Sequence, residues 1–233
     1  INLTLTVEPL EKEVAWGDTE FVFDGSVKCP SAYFTDVNGA RVYLSVSGGA
    51  VSAGGSYRAS ASSEDKNYRL TNSEISFNIA KADYDMSTVR WSCDSFVYNG
   101  EIREVTLSGL PRGVKAIGYT DNAYSDAGVY TASATLSYDS ENYNPPFVKS
   151  HTWRIEKATY DMSGISFLDS EYVYDGELHY PKIEGEMPVG ADGIPLKFSF
   201  SRGVRDVFDS PYLLIEFTTE SENYKAPEYI ERP

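Results

Sequence analysis

Apolar and polar residues alternate in short stretches along the whole chain, with a period of two. Val14 and Trp16, Val89 and Trp91, and Ile165 and Phe167 each stand two apart, which puts each pair on one face of a strand. Tyr57, Ala59 and Ala61 alternate with polar neighbours, and so do Tyr130, Ala132 and Ala134. Small residues on such a face suit the close approach of a second sheet. Ile75, Phe77 and Ile79, like His151, Trp153 and Ile155, read as further strands. No stretch sustains a helical period. Short strands separated by regular turn signals predict an all-β chain built as a β-sandwich.

The pattern repeats. Phe21-Val22-Phe23-Asp24-Gly25 recurs as Phe96-Val97-Tyr98-Asn99-Gly100 and as Tyr172-Val173-Tyr174-Asp175-Gly176. Asp-Gly and Asn-Gly predict the positive backbone angles of a tight hairpin turn. Gly55-Ser56-Tyr57 matches Gly128-Val129-Tyr130, and Asn67-Tyr68 matches Asn142-Tyr143 and Asn223-Tyr224. The Asn-Tyr pair follows an acidic loop each time and reads as a turn whose tyrosine caps the core, in the manner of a tyrosine corner. Ile79-Ala80-Lys81-Ala82 matches Ile155-Glu156-Lys157-Ala158, and Ile230-Glu231-Arg232-Pro233 stands at the same place. The expected organisation is residues 1–82, 83–158 and 159–233. Residues 1–7, Ile-Asn-Leu-Thr-Leu-Thr-Val, read as the closing strand of a preceding repeat. The third copy diverges. It has Ser210-Pro211-Tyr212 in place of Gly-x-Tyr, extra residues near Met187 to Gly193, and Glu228 in place of Phe77 and Trp153. No Gly/Ser- or Pro-rich tether joins the copies, so a stiff, elongated array is expected. End to end it would reach roughly 90–100 Å, at about 3.3 Å per strand residue.

These residues resemble the MBG and YDG-type tandem repeats of bacterial surface proteins. The resemblance rests on the Val-Tyr-Asp-Gly-Glu turn, the Ala-Gly-x-Tyr strand, the Asn-Tyr marker and the closing Ile-x-Lys-Ala. It covers nearly the whole chain and is weakest in the third copy. It implies immunoglobulin-like β-sandwich modules, three in tandem, in large extracellular adhesin-like or wall-associated proteins. It implies no catalytic residue.

Composition sharpens the picture. Of 233 residues, 18 are Tyr and 11 Phe, and the net charge is −15. Tyrosine suits half-buried strands. A chain this acidic repels polyanions, so nucleic acids and anionic membranes are not expected partners. No apolar run reaches membrane-spanning length. Cys29 and Cys93 fall at non-matching positions and read as isolated buried thiols, with an interdomain bridge as the alternative. His151 and His179 lie in different repeats, and no catalytic motif surrounds them. The stretch Ser47–Gly55 is glycine-rich but lacks the lysine and helix of a phosphate cradle, and reads as a hairpin loop.

Three further sites follow from residue chemistry. Recurring acidic residues make Asp65, Asp83, Asp85, Asp139 and Asp161 candidates for calcium, a hard cation that needs several oxygens. Lys81 or Lys157 could form an isopeptide bond with an asparagine, though Arg232 stands at the third equivalent position. Tyr33, Phe34, Tyr119 and Tyr124, outside the repeat markers, are candidates for stacking on glycans. The expected function is a non-enzymatic, monomeric extracellular segment of a bacterial surface protein, acting as stalk or adhesion module toward a host or cell-wall glycan or protein, without a cofactor. The alternative is a carbohydrate-binding accessory segment of a larger secreted enzyme.

Overall fold

The computed structural model describes residues 1–209 and 213–228 and the backbone of 230–232. Ser210-Pro211-Tyr212 therefore lies outside the described residues. Those described are all-β, without a helix, and form several small sheets. The chain divides into two compact units. One holds residues 1–89, 109–117 and 136–148, and the other 90–108, 118–135 and 149–233. The second sequence repeat thus contributes to both.

In the first unit the strand Glu74–Ala80 lies between Gly54–Ser62, antiparallel, and Glu20–Val22, parallel. Its alternation decides what is buried. Phe77 and Ile79 face the core, and Glu74, Ser76 and Asn78 face outward. Ala59, opposite Ile75, is fully buried, so its lack of bulk serves packing. Trp16 comes from a second sheet, Ala15–Trp16, Ala32–Thr35 and Arg41–Tyr43, and packs on the same cluster. In the second unit His151–Glu156 takes the same place, antiparallel to Gly128–Ser137 and parallel to Ser95–Val97. Trp153 and Ile155 are buried there against Ala132 and Val105.

The Asp-Gly and Asn-Gly turns form, with φ of 82° at Gly25, 81° at Gly100 and 84° at Gly176. They are not hairpins. Phe21 pairs with Ile79 and Phe96 with Ile155, both in parallel register far along the chain, rather than with the strand after the turn. A glycine fixes the local reversal, but the partner of the incoming strand is set by burial of its aromatic side chain.

The Asn-Tyr pair reaches the repeat before its own. In the first unit Asn142 Oδ1 accepts the N–H of Ala53 at 2.9 Å, and the Tyr143 ring meets Phe23 edge-on at 5.4 Å. In the second unit Asn223 Oδ1 accepts the N–H of Ala127 at 2.7 Å, and Tyr224 meets Tyr98 edge-on at 5.5 Å. Ala53 and Ala127 are equivalent by pairing, since the next residues, Gly54 and Gly128, stand opposite Ile79 and Ile155. The carbonyls of Asn142 and Asn223 accept the N–H of Ala82 and Ala158. Each asparagine therefore ties two consecutive sequence repeats. Asn223 is itself buried, with every polar group satisfied: its Nδ2 donates to Asp126 and its N–H to Ser221 Oγ.

Asp139 holds the first of these joints in shape. Its carboxylate accepts Asn142 Nδ2 at 2.8 Å and the N–H groups of Glu141 and Asn142. The Asn142 side chain above all, then those backbone bonds and the charge of Lys81, holds its pKa below the ordinary carboxylate value. A depressed folded pKa stabilises above the unfolded value, about pH 4, and that contribution is lost as pH falls through the folded value. Thermal unfolding followed between about pH 6 and pH 2 should show stability falling below about pH 4. Asp139→Asn should flatten that fall. An unchanged slope would show that Asp139 is not part of it.

Candidate functional site

The third repeat departs from the other two beside its turn. Phe21 and Phe96 lie in strands, but residues 169–175 form none. Tyr172, Val173 and Tyr174 are 49%, 89% and 62% exposed. Local contacts hold this segment instead. The Tyr172 hydroxyl donates to the Tyr180 carbonyl at 2.9 Å, and its ring stacks on His179 at 4.2 Å. His179 Nε2 bonds Asp175 Oδ1 at 2.9 Å. The backbone of His179 exchanges two hydrogen bonds with Val204.

The result is a cleft of about 300 Å³. Buried Leu213 and Ile215, from the strand Leu213–Thr218, contribute its apolar surface. Tyr172, His179 and Tyr180 supply the aromatic part, and Tyr180 stacks on Phe200 at 5.4 Å. Arg205 and Asp206 add charge. Their backbone N–H groups both bond Asp209 Oδ2, which shapes this turn and holds the Asp209 pKa below its ordinary value. The Asp175 pKa is lowered as well, first by the Glu177 N–H and then by His179. Apolar and aromatic lining with a few placed polar groups suits a small ligand or a protruding side chain. Ser170 also lines the cleft, but its hydroxyl donates to the Leu168 carbonyl and accepts the Lys182 N–H. Among the described residues no hydrogen bond joins it to His179.

The residues singled out from sequence lie elsewhere. Asp85 and Asp161 each accept the N–H of a serine two residues on, Ser87 and Ser163. Asp65 accepts from Asn67, Asp83 from Asn144, and Asp139 from Asn142. Among the described residues no three His, Cys, Asp or Glu side chains group so as to hold a metal ion. Phe34 is not a stacking platform. It is 1% exposed and packs on Tyr68 at 4.8 Å. Tyr124 stacks on Tyr130 at 3.8 Å, and Tyr119 lies against Trp91, so both rings are occupied by the protein itself. Tyr33 carries Arg41 over its ring at 4.7 Å.

Cys29 and Cys93 are free and half-buried rather than fully buried. Burial raises the Cys29 pKa. His151 is structural in its contacts, with Nε2 on the Cys93 carbonyl at 2.7 Å and its ring stacked on Trp91. Lys81 donates to the Ser140 carbonyl, and Lys157 faces Glu222. Tyr172 and Tyr174 occupy repeat markers, so the turn motif by itself does not distinguish them from Phe21 and Phe23 or Phe96 and Tyr98. The available signal was His179-Tyr180, an aromatic pair where the other copies carry Lys28-Cys29 and Arg103-Glu104.

Comparison with known proteins finds no matching family, curated protein or solved structure.

Proposed function

We propose that this chain is a non-enzymatic, extracellular segment of a bacterial surface protein, made of immunoglobulin-like β-sandwich modules and serving as a stalk, an adhesion module or both. The observation that carries the reading is the joint built twice from the same parts, an asparagine on an alanine N–H and a tyrosine on an aromatic ring. Repeated, hydrogen-bonded joints suit a segment whose role is to hold its parts in fixed succession. The aromatic cleft of the third repeat supports an adhesive reading, toward a glycan or a protein side chain of a host or cell wall. Its exposed tyrosines also support the second reading, a carbohydrate-binding accessory segment of a secreted enzyme, because sugar rings stack on aromatic faces.

The test is binding of the intact chain to arrays of glycans and matrix proteins, with and without calcium. Saturable binding is expected. Tyr180→Ala should weaken it about tenfold or more, the equivalent of about 1.4 kcal/mol, while Tyr43→Ala on the exposed strand Arg41–Tyr43 should leave it unchanged. Clean silence under both conditions would remove the adhesive role and leave a spacer. Binding confined to glycans would favour the second reading.

A further inference from the structure

Each joint has two halves. One is the Asn-Tyr loop with the residue bridged to its tyrosine: Tyr143 with Ala82, and Tyr224 with Ala158. The other belongs to the repeat before it: the Ala53 N–H with the Phe23 ring, and the Ala127 N–H with the Tyr98 ring. The first repeat carries the Asn-Tyr half once more. Leu10 pairs with Tyr68 in parallel register, and its N–H donates to the Asn67 carbonyl at 2.8 Å. Asn67 Nδ2 is held by Asp65 as Asn142 Nδ2 is held by Asp139. Asn67 is exposed, and among the described residues its side-chain oxygen accepts no hydrogen bond.

The residue bridged to the tyrosine sets a register. Three, five and seven positions before Ala82 stand Ile79, Phe77 and Ile75, and before Ala158 stand Ile155, Trp153 and His151. These are the inward residues of the closing strands. The same offsets before Leu10 give Val7, Leu5 and Leu3. Yet these are 84%, 92% and 92% exposed, in a segment with no strand partner among the described residues. Asn2, Thr4 and Thr6 take the outward positions of Glu74, Ser76 and Asn78.

We propose that residues 1–7 and the Asn67-Tyr68 loop form one docking surface for a further β-module of this kind. Residues 1–7 supply that module's closing strand. The Asn67 side-chain oxygen accepts the N–H that corresponds to Ala53 and Ala127. The partner's chemistry follows from continuity with the two joints already formed: a sheet that lacks its closing strand, beside an aromatic residue just ahead of an Asp-Gly or Asn-Gly turn. This goes beyond the stalk and adhesion reading and does not depend on the cleft.

The test adds one repeat to the full chain. In the first chimera, residues 8–72 are placed ahead of Ile1, so that residues 1–7 take the position of 73–79 in the added copy. In the second, residues 8–79 are placed ahead of Glu8, so that the added copy keeps its own closing strand and residues 1–7 are absent. Amide hydrogen exchange is read at residues 2–7 and at Ala53 of the added copy. Residues 2–7 should exchange at least about tenfold more slowly in the first chimera than in the 1–233 chain. In both chimeras Asn67→Ala should speed exchange at the added Ala53 by about tenfold. If the second chimera folds with an added Ala53 that is indifferent to Asn67→Ala, the loop half of the proposal is overturned. If it folds while residues 2–7 of the first remain unprotected, the strand half is overturned.

Discussion

Trp153→Ala should destabilise the second compact unit by about 3–5 kcal/mol, the usual cost of emptying a large aromatic site in a core. Trp153 is 1% exposed and meets Phe96 edge-on at 5.9 Å and Tyr130 at 5.2 Å. Its indole N–H donates to the Asp121 carbonyl at 3.0 Å. Asp121 has a φ of 52°, a left-handed conformation costly for a residue with a Cβ. The alanine variant therefore leaves both a cavity and a carbonyl whose strained turn has lost its anchor. Trp153→Phe keeps the six-membered ring but loses the pyrrole part with its N–H, so its loss should be smaller, about 1–3 kcal/mol. Arg154→Ala, next door on the outward face, should stay within about 0.5 kcal/mol. Chemical denaturation of the three variants checks the order. A Trp153→Ala loss no larger than that of Arg154→Ala would mean that this core is not where the unit's stability resides.

That core was legible in the sequence because it depends only on period. His151, Trp153 and Ile155 alternate with polar residues, and a strand with one buried face can satisfy that pattern in only one way. The turns were legible for the same local reason, since a glycine after Asp or Asn announces a positive φ. Pairing was not local. Glu20–Val22 finds its partner at Asn78–Ala80, and nothing in three residues of alternating character names a strand more than fifty positions away. The hairpin expectation failed at that step.

Burial at the repeat markers is likewise not a local property. Phe23, Tyr98 and Tyr174 occupy one position in the repeat, but their surroundings come from other repeats. Tyr143 covers Phe23 and Tyr224 covers Tyr98, while Tyr174 stays 62% exposed. A marker predicts burial only where the neighbouring copy arrives. The Asn-Tyr pair was read as a turn because asparagine favours turns. Its bond to an alanine N–H in another repeat follows from tertiary geometry. Phe34 erred in the opposite direction: standing outside the markers made it a surface candidate, and its alternation with Tyr33 put it in the core.

Tyr224→Ala should be as costly as Trp153→Ala, about 3–5 kcal/mol, but with a different signature. The Tyr224 ring packs against two hydrophobic clusters of the second unit, the one around Trp153 and the one around Ile215. It touches Tyr98 on one side and Tyr160, at 4.6 Å, on the other. Its hydroxyl accepts the Ala191 N–H at 3.0 Å. Removing it takes apolar contact from two clusters at once, so they should lose their mutual support as well as stability. In the unaltered chain, amides of Leu213–Thr218 and His151–Glu156 should exchange through one common opening. In Tyr224→Ala the two strands should open with separate free energies. Tyr224→Phe keeps the ring and forfeits the Ala191 bond, so it should cost only about 1 kcal/mol and leave the opening common. If the two strands still open together in Tyr224→Ala, the clusters are coupled through the backbone pairing of Ala158–Thr159 with Tyr224–Lys225 rather than through the ring between them.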